Sequence, residues 1–99
     1  MKHAATKAQK EYRNRVAELG CSLCRRIGFP GTPAQLHHPR SHTGMGLRSD
    51  ERDLIPLCYE HHLGDTGVHM LGKKGMFEAM YGFTEKDLIN DTRELLDDQ

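Results

Sequence analysis

Three cysteines and a histidine fall into two pairs of equal gap, Cys21-x-x-Cys24 and Cys58-x-x-His61. A two-residue gap lets both side chains of a turn face one ion, and four thiolate or imidazole donors close a tetrahedron around zinc. All three cysteines of the chain are used in this way. An odd number cannot pair off completely, which argues against a disulfide framework, and free thiolate ligands suit a reducing compartment. His61 is followed at once by His62. Neighbouring helical residues project about 100° apart, so the two do not easily serve the same ion. The C-x-x-H gap favours His61 and leaves His62 for another task. A site of this kind would add roughly ten kcal/mol of apparent folding free energy. The plain alternative is buried cysteines beside a surface histidine. A redox role for C-x-x-C would need a surrounding βαβ pattern, which the sequence lacks.

Four further histidines cluster in sequence, His37, His38, His62 and His69, with His42 nearby. In a strand, His37 and His38 point to opposite sides and should do different jobs. One can hold a divalent cation while the other accepts a proton, since imidazole is a good ligand and titrates near neutrality. Phosphodiester hydrolysis asks for both, a base to activate water and a cation to stabilise charge on the phosphoryl and leaving oxygens. An all-imidazole site suits a transition metal or Zn²⁺, whereas a nearby carboxylate, Asp53 or Asp50, shifts the balance towards Mg²⁺. Mg²⁺ or Mn²⁺ is the expected working ion, with Zn²⁺ the other candidate. His42 reads as a solvated loop residue.

The elements that must carry these groups are short. Residues 6–19 read as a helix, with Thr6 and Gln9 as a capping box, Gly20 as the stop, and Tyr12, Val16 and Leu19 at helical spacing. Residues 21–24 form a knuckle followed by a loop punctuated by Gly28, Pro30, Gly31 and Pro33. Residues 34–38 and 54–57 suit two brief strands, and residues 39–52 a loop without periodicity. A short helix opens over 58–62. Another spans 76–81 and ends at Gly82. A last helix starts at Thr84, with Asp87 three residues on, and turns Leu88, Ile89, Leu95 and Leu96 inward; residues 97–99 should fray.

Ninety-nine residues make one domain, and 36% hydrophobic content without tryptophan gives it little to bury. A cross-link such as a metal is therefore expected. The formal net charge is zero, but residues 1–52 carry a balance of +6 and residues 53–99 one of −6. A basic half can track phosphates even in a neutral chain; the plain alternative is two solvated faces of opposite sign. No apolar run approaches the roughly 18 residues of a membrane span, and no signal-peptide pattern is present, so a cytoplasmic protein with no membrane partner is expected.

The run Leu36-His37-His38-Pro39, then Asp53-Leu54-Ile55-Pro56-Leu57-Cys58, then His61-His62 and His69, resembles the motif of the HNH (ββα-metal) endonucleases. More narrowly, Gly44-Met45-Gly46-x-Arg48-Ser49-Asp50, followed by Ile55-Pro56-Leu57-Cys58 and the doubled histidine, resembles the RecA-dependent HNH nucleases of phages, the Ref group, and their prophage-borne relatives. The likeness covers roughly residues 21–82. It implies a small α+β fold, a ββα-metal or treble-clef-like core with a structural zinc over residues 21–82. A basic helix (1–20) and a C-terminal helix (83–99) would flank that core.

The resemblance also implies DNA phosphodiester hydrolysis. His38 would be the general base, and Asp53, or Asp50 three residues earlier, would stand where the family carries the asparagine that orients the base-bearing loop. His37, His62 and His69 would hold the working ion. Arg40 and Arg48 would contact phosphates, and Lys7, Lys10 and Arg13 would extend that track, with Arg25 and Arg26 more plainly solvated charges. With few aromatic residues to stack on bases, binding should follow the backbone and be salt-sensitive. DNA, and RecA or another recombination protein, are the implied partners. The rival expectation is a zinc module that binds DNA or a recombination protein without cutting.

Overall fold

A computed structural model describes residues 6–39, 51–71 and 75–97. The first helix, α1 (Lys7–Glu18), begins where Thr6 and Gln9 satisfy each other's backbone N–H groups at 2.9 and 3.1 Å, the reciprocal arrangement that the sequence spacing calls for. It buries Val16 and half-buries Tyr12 and Leu19. Gly20 then takes a left-handed φ of 79°, and the chain enters α2 (Ser22–Arg26), a single helical turn.

Strands β1 (Gln35–His37) and β2 (Ile55–Leu57) pair antiparallel with Gln35 opposite Leu57, Leu36 opposite Pro56 and His37 opposite Ile55. A 3₁₀ turn over Glu51–Asp53 leads into β2. Every residue of β2 is buried, as befits a strand packed on both faces. One face looks onto a cluster that includes Leu23, Phe77, Phe83, Leu88 and Ile89 together with Cys21 and Cys24; a second cluster gathers Val16, Leu54 and Leu96. After β2 come α3 (Tyr59–His62), α4 (Val68–Leu71), α5 (Met76–Tyr81) and α6 (Glu85–Asp97). The described residues thus make a small α+β fold, helices around a two-stranded sheet, and none of their helices is long and apolar enough to cross a membrane.

Several expectations change on folding. Helix α4 has no counterpart in the sequence reading, because four residues are too few to show a period. On α6 the buried seam is Leu88, Ile89, Thr92 and Leu96, while Leu95 is only half-buried. Thr92 takes the inward place by returning its hydroxyl to the Leu88 carbonyl oxygen at 2.8 Å, so burial leaves it no orphan donor. Asp97, expected to fray, is the last residue of α6 and pairs with Arg52 at 3.0 Å.

The opposed charges of the two halves meet across the packing. Arg26 donates to both carboxylate oxygens of Asp91 at 2.6 and 3.1 Å and lies over the Phe83 ring. Arg15 donates to the Leu96 carbonyl oxygen near the end of α6 at 2.9 Å, and Arg25 to the Leu19 carbonyl oxygen at 2.6 Å. Part of the charge split is therefore internal pairing between the basic first half and the acidic last helix.

Candidate metal centres

Cys21 caps α2, its Sγ accepting the Cys24 N–H at 3.4 Å, and Cys58 stands at the cap position of α3, whose next turn carries His61. Two helix starts thus bring their first-turn side chains to one point. The Cys24 and Cys58 sulfurs lie 3.8 Å apart, and His61 Nδ1 lies 3.8, 3.3 and 3.2 Å from Cys21, Cys24 and Cys58 Sγ. Tetrahedral zinc, with Zn–S near 2.3 Å and Zn–N near 2.0–2.1 Å, sets sulfurs about 3.8 Å apart and nitrogen about 3.5 Å from each sulfur. The cluster has the dimensions of that tetrahedron, which makes it compatible with a zinc site. His61, not His62, completes it, and it does so through Nδ1.

Burial, chiefly, pushes the Cys24 thiol up to about 12, with the neighbouring Cys21 and Cys58 adding to the rise. Burial also holds His61 below its ordinary value, so its ring stays neutral and its lone pair available. A crowded set of thiols in an apolar cluster is costly as thiolates unless a cation accompanies them. The Tyr81 ring meets His61 edge-on at 6.1 Å.

The second set is all imidazole. His37 closes β1 and is 5% exposed; His62 closes α3; His69 sits in α4. Their ring centroids are 5.1 Å (His37–His62), 5.3 Å (His37–His69) and 5.1 Å (His62–His69) apart. One nitrogen from each comes within 4.8 Å of the others, compatible with a shared divalent ion. His62 is held below its ordinary pKa by burial first and then by His37 and His69. The His62 ring therefore stays neutral, with a lone pair free for a cation.

The gap between His62 and His69 is closed by a hairpin of helices. Glu60 receives the Thr66 N–H and hydroxyl at 3.1 and 2.7 Å, and Tyr81 donates its hydroxyl to the Thr66 carbonyl oxygen at 2.6 Å. At Gly67 the backbone passes so near α3 that a Cβ would stand 2.7 Å from the carbonyl oxygens of Glu60 and His61. Glycine is therefore needed for the chain to fold back and deliver His69 beside His62.

The remaining sequence candidates are placed unevenly. His38 follows the last residue of β1 and is exposed, while His37 is buried; the pair does face two ways. Asp53 is paired with Arg93 and does not belong to the converging imidazole group. Lys7 and Lys10 are exposed on α1 and Arg13 is half-buried. Arg40, His42, Arg48 and Asp50 lie outside the described residues.

Sequence reasoning missed two neighbours of the cluster. His37 Nε2 meets Glu85 Oε2 at 2.7 Å, and His62 Nδ1 meets Gln35 Oε1 at 2.9 Å. Gln35 had a signal, since strand alternation sets it on the same side as His37. Glu85 had none, lying 48 residues away on a helix expected only to flank the core. No family model matches the chain, and no curated protein matches it either.

Proposed function

We propose that this protein is a metal-dependent endonuclease of the HNH type that hydrolyses DNA phosphodiester bonds on a ββα-metal core. One observation carries the reading. Consecutive histidines divide, His37 turning inward to meet His62 and His69 while His38 stays exposed. That division gives one imidazole to a cation and leaves the other for water and substrate.

His37, His62 and His69 would hold the ion. When bound, it would neutralise charge developing on the non-bridging and leaving oxygens of the phosphate. His38 takes the proton of the attacking water, which approaches phosphorus in line with the leaving 3′ oxygen, so the products carry 5′-phosphate and 3′-hydroxyl ends. Lys7 and Lys10 extend a phosphate track along α1, with Arg40 and Arg48 as further phosphate contacts. The donor set, imidazole without carboxylate, favours a transition metal or Zn²⁺ over Mg²⁺. A host-cell, recombination-linked setting and a RecA-like partner belong to the same reading and rest on the sequence resemblance alone.

The competing reading is a zinc module that binds DNA or a recombination protein without cutting it. In its favour, Asp53 is engaged by Arg93 and no carboxylate stands beside His38 among the hydrogen bonds of the described residues. Metal analysis of the purified protein decides between them when joined to a plasmid-nicking assay with added Mn²⁺ or Mg²⁺. The nuclease takes up two ions per chain and nicks; the module takes up one and does not.

A further inference from the structure

Each histidine has two ring nitrogens, and the bond made by one decides which is left for an ion. His37 Nε2 lies 2.7 Å from Glu85 Oε2, with the two side chains 5% and 19% exposed. A carboxylate only accepts, so Nε2 carries the hydrogen and donates it. In that tautomer the lone pair lies at Nδ1. Glu85 is absent from the group whose ligand atoms converge within 4.8 Å, which makes it a partner of the ligand and not a fourth ligand. At His62 the order is reversed. Nδ1 faces Gln35 Oε1 at 2.9 Å, so Nδ1 donates and Nε2 is bare.

We infer that Glu85 and Gln35 fix opposite tautomers of His37 and His62, so that the pocket offers Nδ1 of one and Nε2 of the other to a divalent transition-metal ion. Glu85 and Gln35 are thus positioning residues, and α6 is part of the metal centre. This rests on the imidazole cluster being an ion site, as proposed above.

Both partners are themselves held. Thr84 and Asp87 cap α6 reciprocally, the Thr84 N–H reaching Asp87 Oδ2 at 2.9 Å and the Asp87 N–H reaching Thr84 Oγ1 at 3.3 Å. That box sets the first turn from which Glu85 projects. Gln35 sits two residues before His37 on β1 and so shares its side of the strand. Partners of this kind raise ligand basicity and fix ring orientation, and their loss weakens metal affinity by about 10- to 100-fold.

The test uses zinc-loaded protein and two readouts, ring-nitrogen NMR of the histidines without added ion and calorimetric binding of Co²⁺. The wild type should show hydrogen on Nε2 of His37 and on Nδ1 of His62, and take up one Co²⁺ beside its zinc. Glu85→Ala should weaken Co²⁺ binding by about 10- to 100-fold and give His37 a mixture of tautomers. Gln35→Ala should do the same at His62, whereas Gln35→Glu, an acceptor only, should keep both the tautomer and the affinity. Gln35 is exposed, so its variants keep the test open should Glu85→Ala fail to fold. A wild type with hydrogen on Nδ1 of His37, or Gln35→Ala and Glu85→Ala binding Co²⁺ as tightly as a wild type that does bind it, overturns the inference alone. A wild type that takes up no Co²⁺ overturns the site reading and this inference with it.

Discussion

Arg93 of α6 holds Asp53 just ahead of β2. Its Nη2 donates to Asp53 Oδ1 while its Nε donates to the Arg52 carbonyl oxygen at 2.8 Å. One planar guanidinium thereby fixes both a side chain and the backbone beside it, a fork that lysine could not supply. Arg52 in turn pairs with Asp97 and lies over the Tyr12 ring. The turn before β2 is thus tied to both terminal helices, and the residue expected to orient the base-bearing loop is engaged in that tie.

Asp53→Asn should therefore be a stability variant before it is an activity variant. The amide keeps an acceptor for Arg93 but loses the charge, and the pair is half-buried, so the loss should be about 1 kcal/mol. Urea unfolding of the zinc-loaded variant measures it. Nicking activity should stay close to wild type. A large fall in activity with unchanged stability would instead return Asp53 to direct service of His38.

The two members of the His37-His38 pair should fail differently. His38 is exposed, so His38→Ala should change stability by no more than about 0.5 kcal/mol, while nicking falls by about 10²- to 10⁴-fold for loss of a general base. His37→Ala removes a buried ring together with its hydrogen bond to Glu85 and should lower the melting temperature as well. Zinc content should survive in both. A His38→Ala protein that nicks at the wild-type rate removes the base assignment.

Gly67→Ala tests the delivery of His69. A Cβ there meets the backbone of Glu60 and His61 at 2.7 Å, too close to be relieved by a side-chain turn. The helix hairpin must open, at a cost of about 1–3 kcal/mol. The clash falls on the backbone of His61, a member of the thiol cluster, so zinc content is measured alongside and should fall less than the binding of the second ion. The second ion should bind more weakly, as read by calorimetry. Equal affinity in this variant would mean that His69 is not needed.

Much of this arrangement was legible in the chain because it is local. The Thr6–Gln9 box, the two C-x-x pairs and the alternation at His37-His38 each depend on residues a turn or a strand apart. The convergence of His69 was harder to read, since the gap with Gly64 and Gly67 looks like a helix break. It is one, and the break is what turns α4 back onto α3. The Arg93–Asp53 and Glu85–His37 pairs were not legible at all. They join residues 40 and 48 positions apart, and nothing periodic announces a contact set by how α6 docks on the sheet.

The thiol cluster makes a prediction whose sign depends on metal. Burial lifts the Cys24 thiol from its ordinary 9.0 to about 12, so the metal-free fold holds that proton more tightly than the unfolded chain does. Between those two values the folded state binds more protons, and its stability should fall as pH rises from about 9 upwards. Zinc reverses the balance, because bound thiolates carry no protons while those of the unfolded chain keep theirs below that ordinary value. Loaded protein should gain stability with rising pH over about 6 to 8, and zinc affinity should climb about tenfold per pH unit for each proton expelled. Chelator competition and urea midpoints of the loaded protein across that range read its slope, and the chelator-stripped protein followed from about pH 9 upwards reads the other. Cys58→Ser removes one donor from the set. As a small domain holds only about 5–15 kcal/mol in all and such a site contributes roughly ten, this variant should be largely unfolded at room temperature. Slopes of the same sign with and without zinc, or a Cys58→Ser protein that melts like the wild type, would mean that these four residues pack together without an ion.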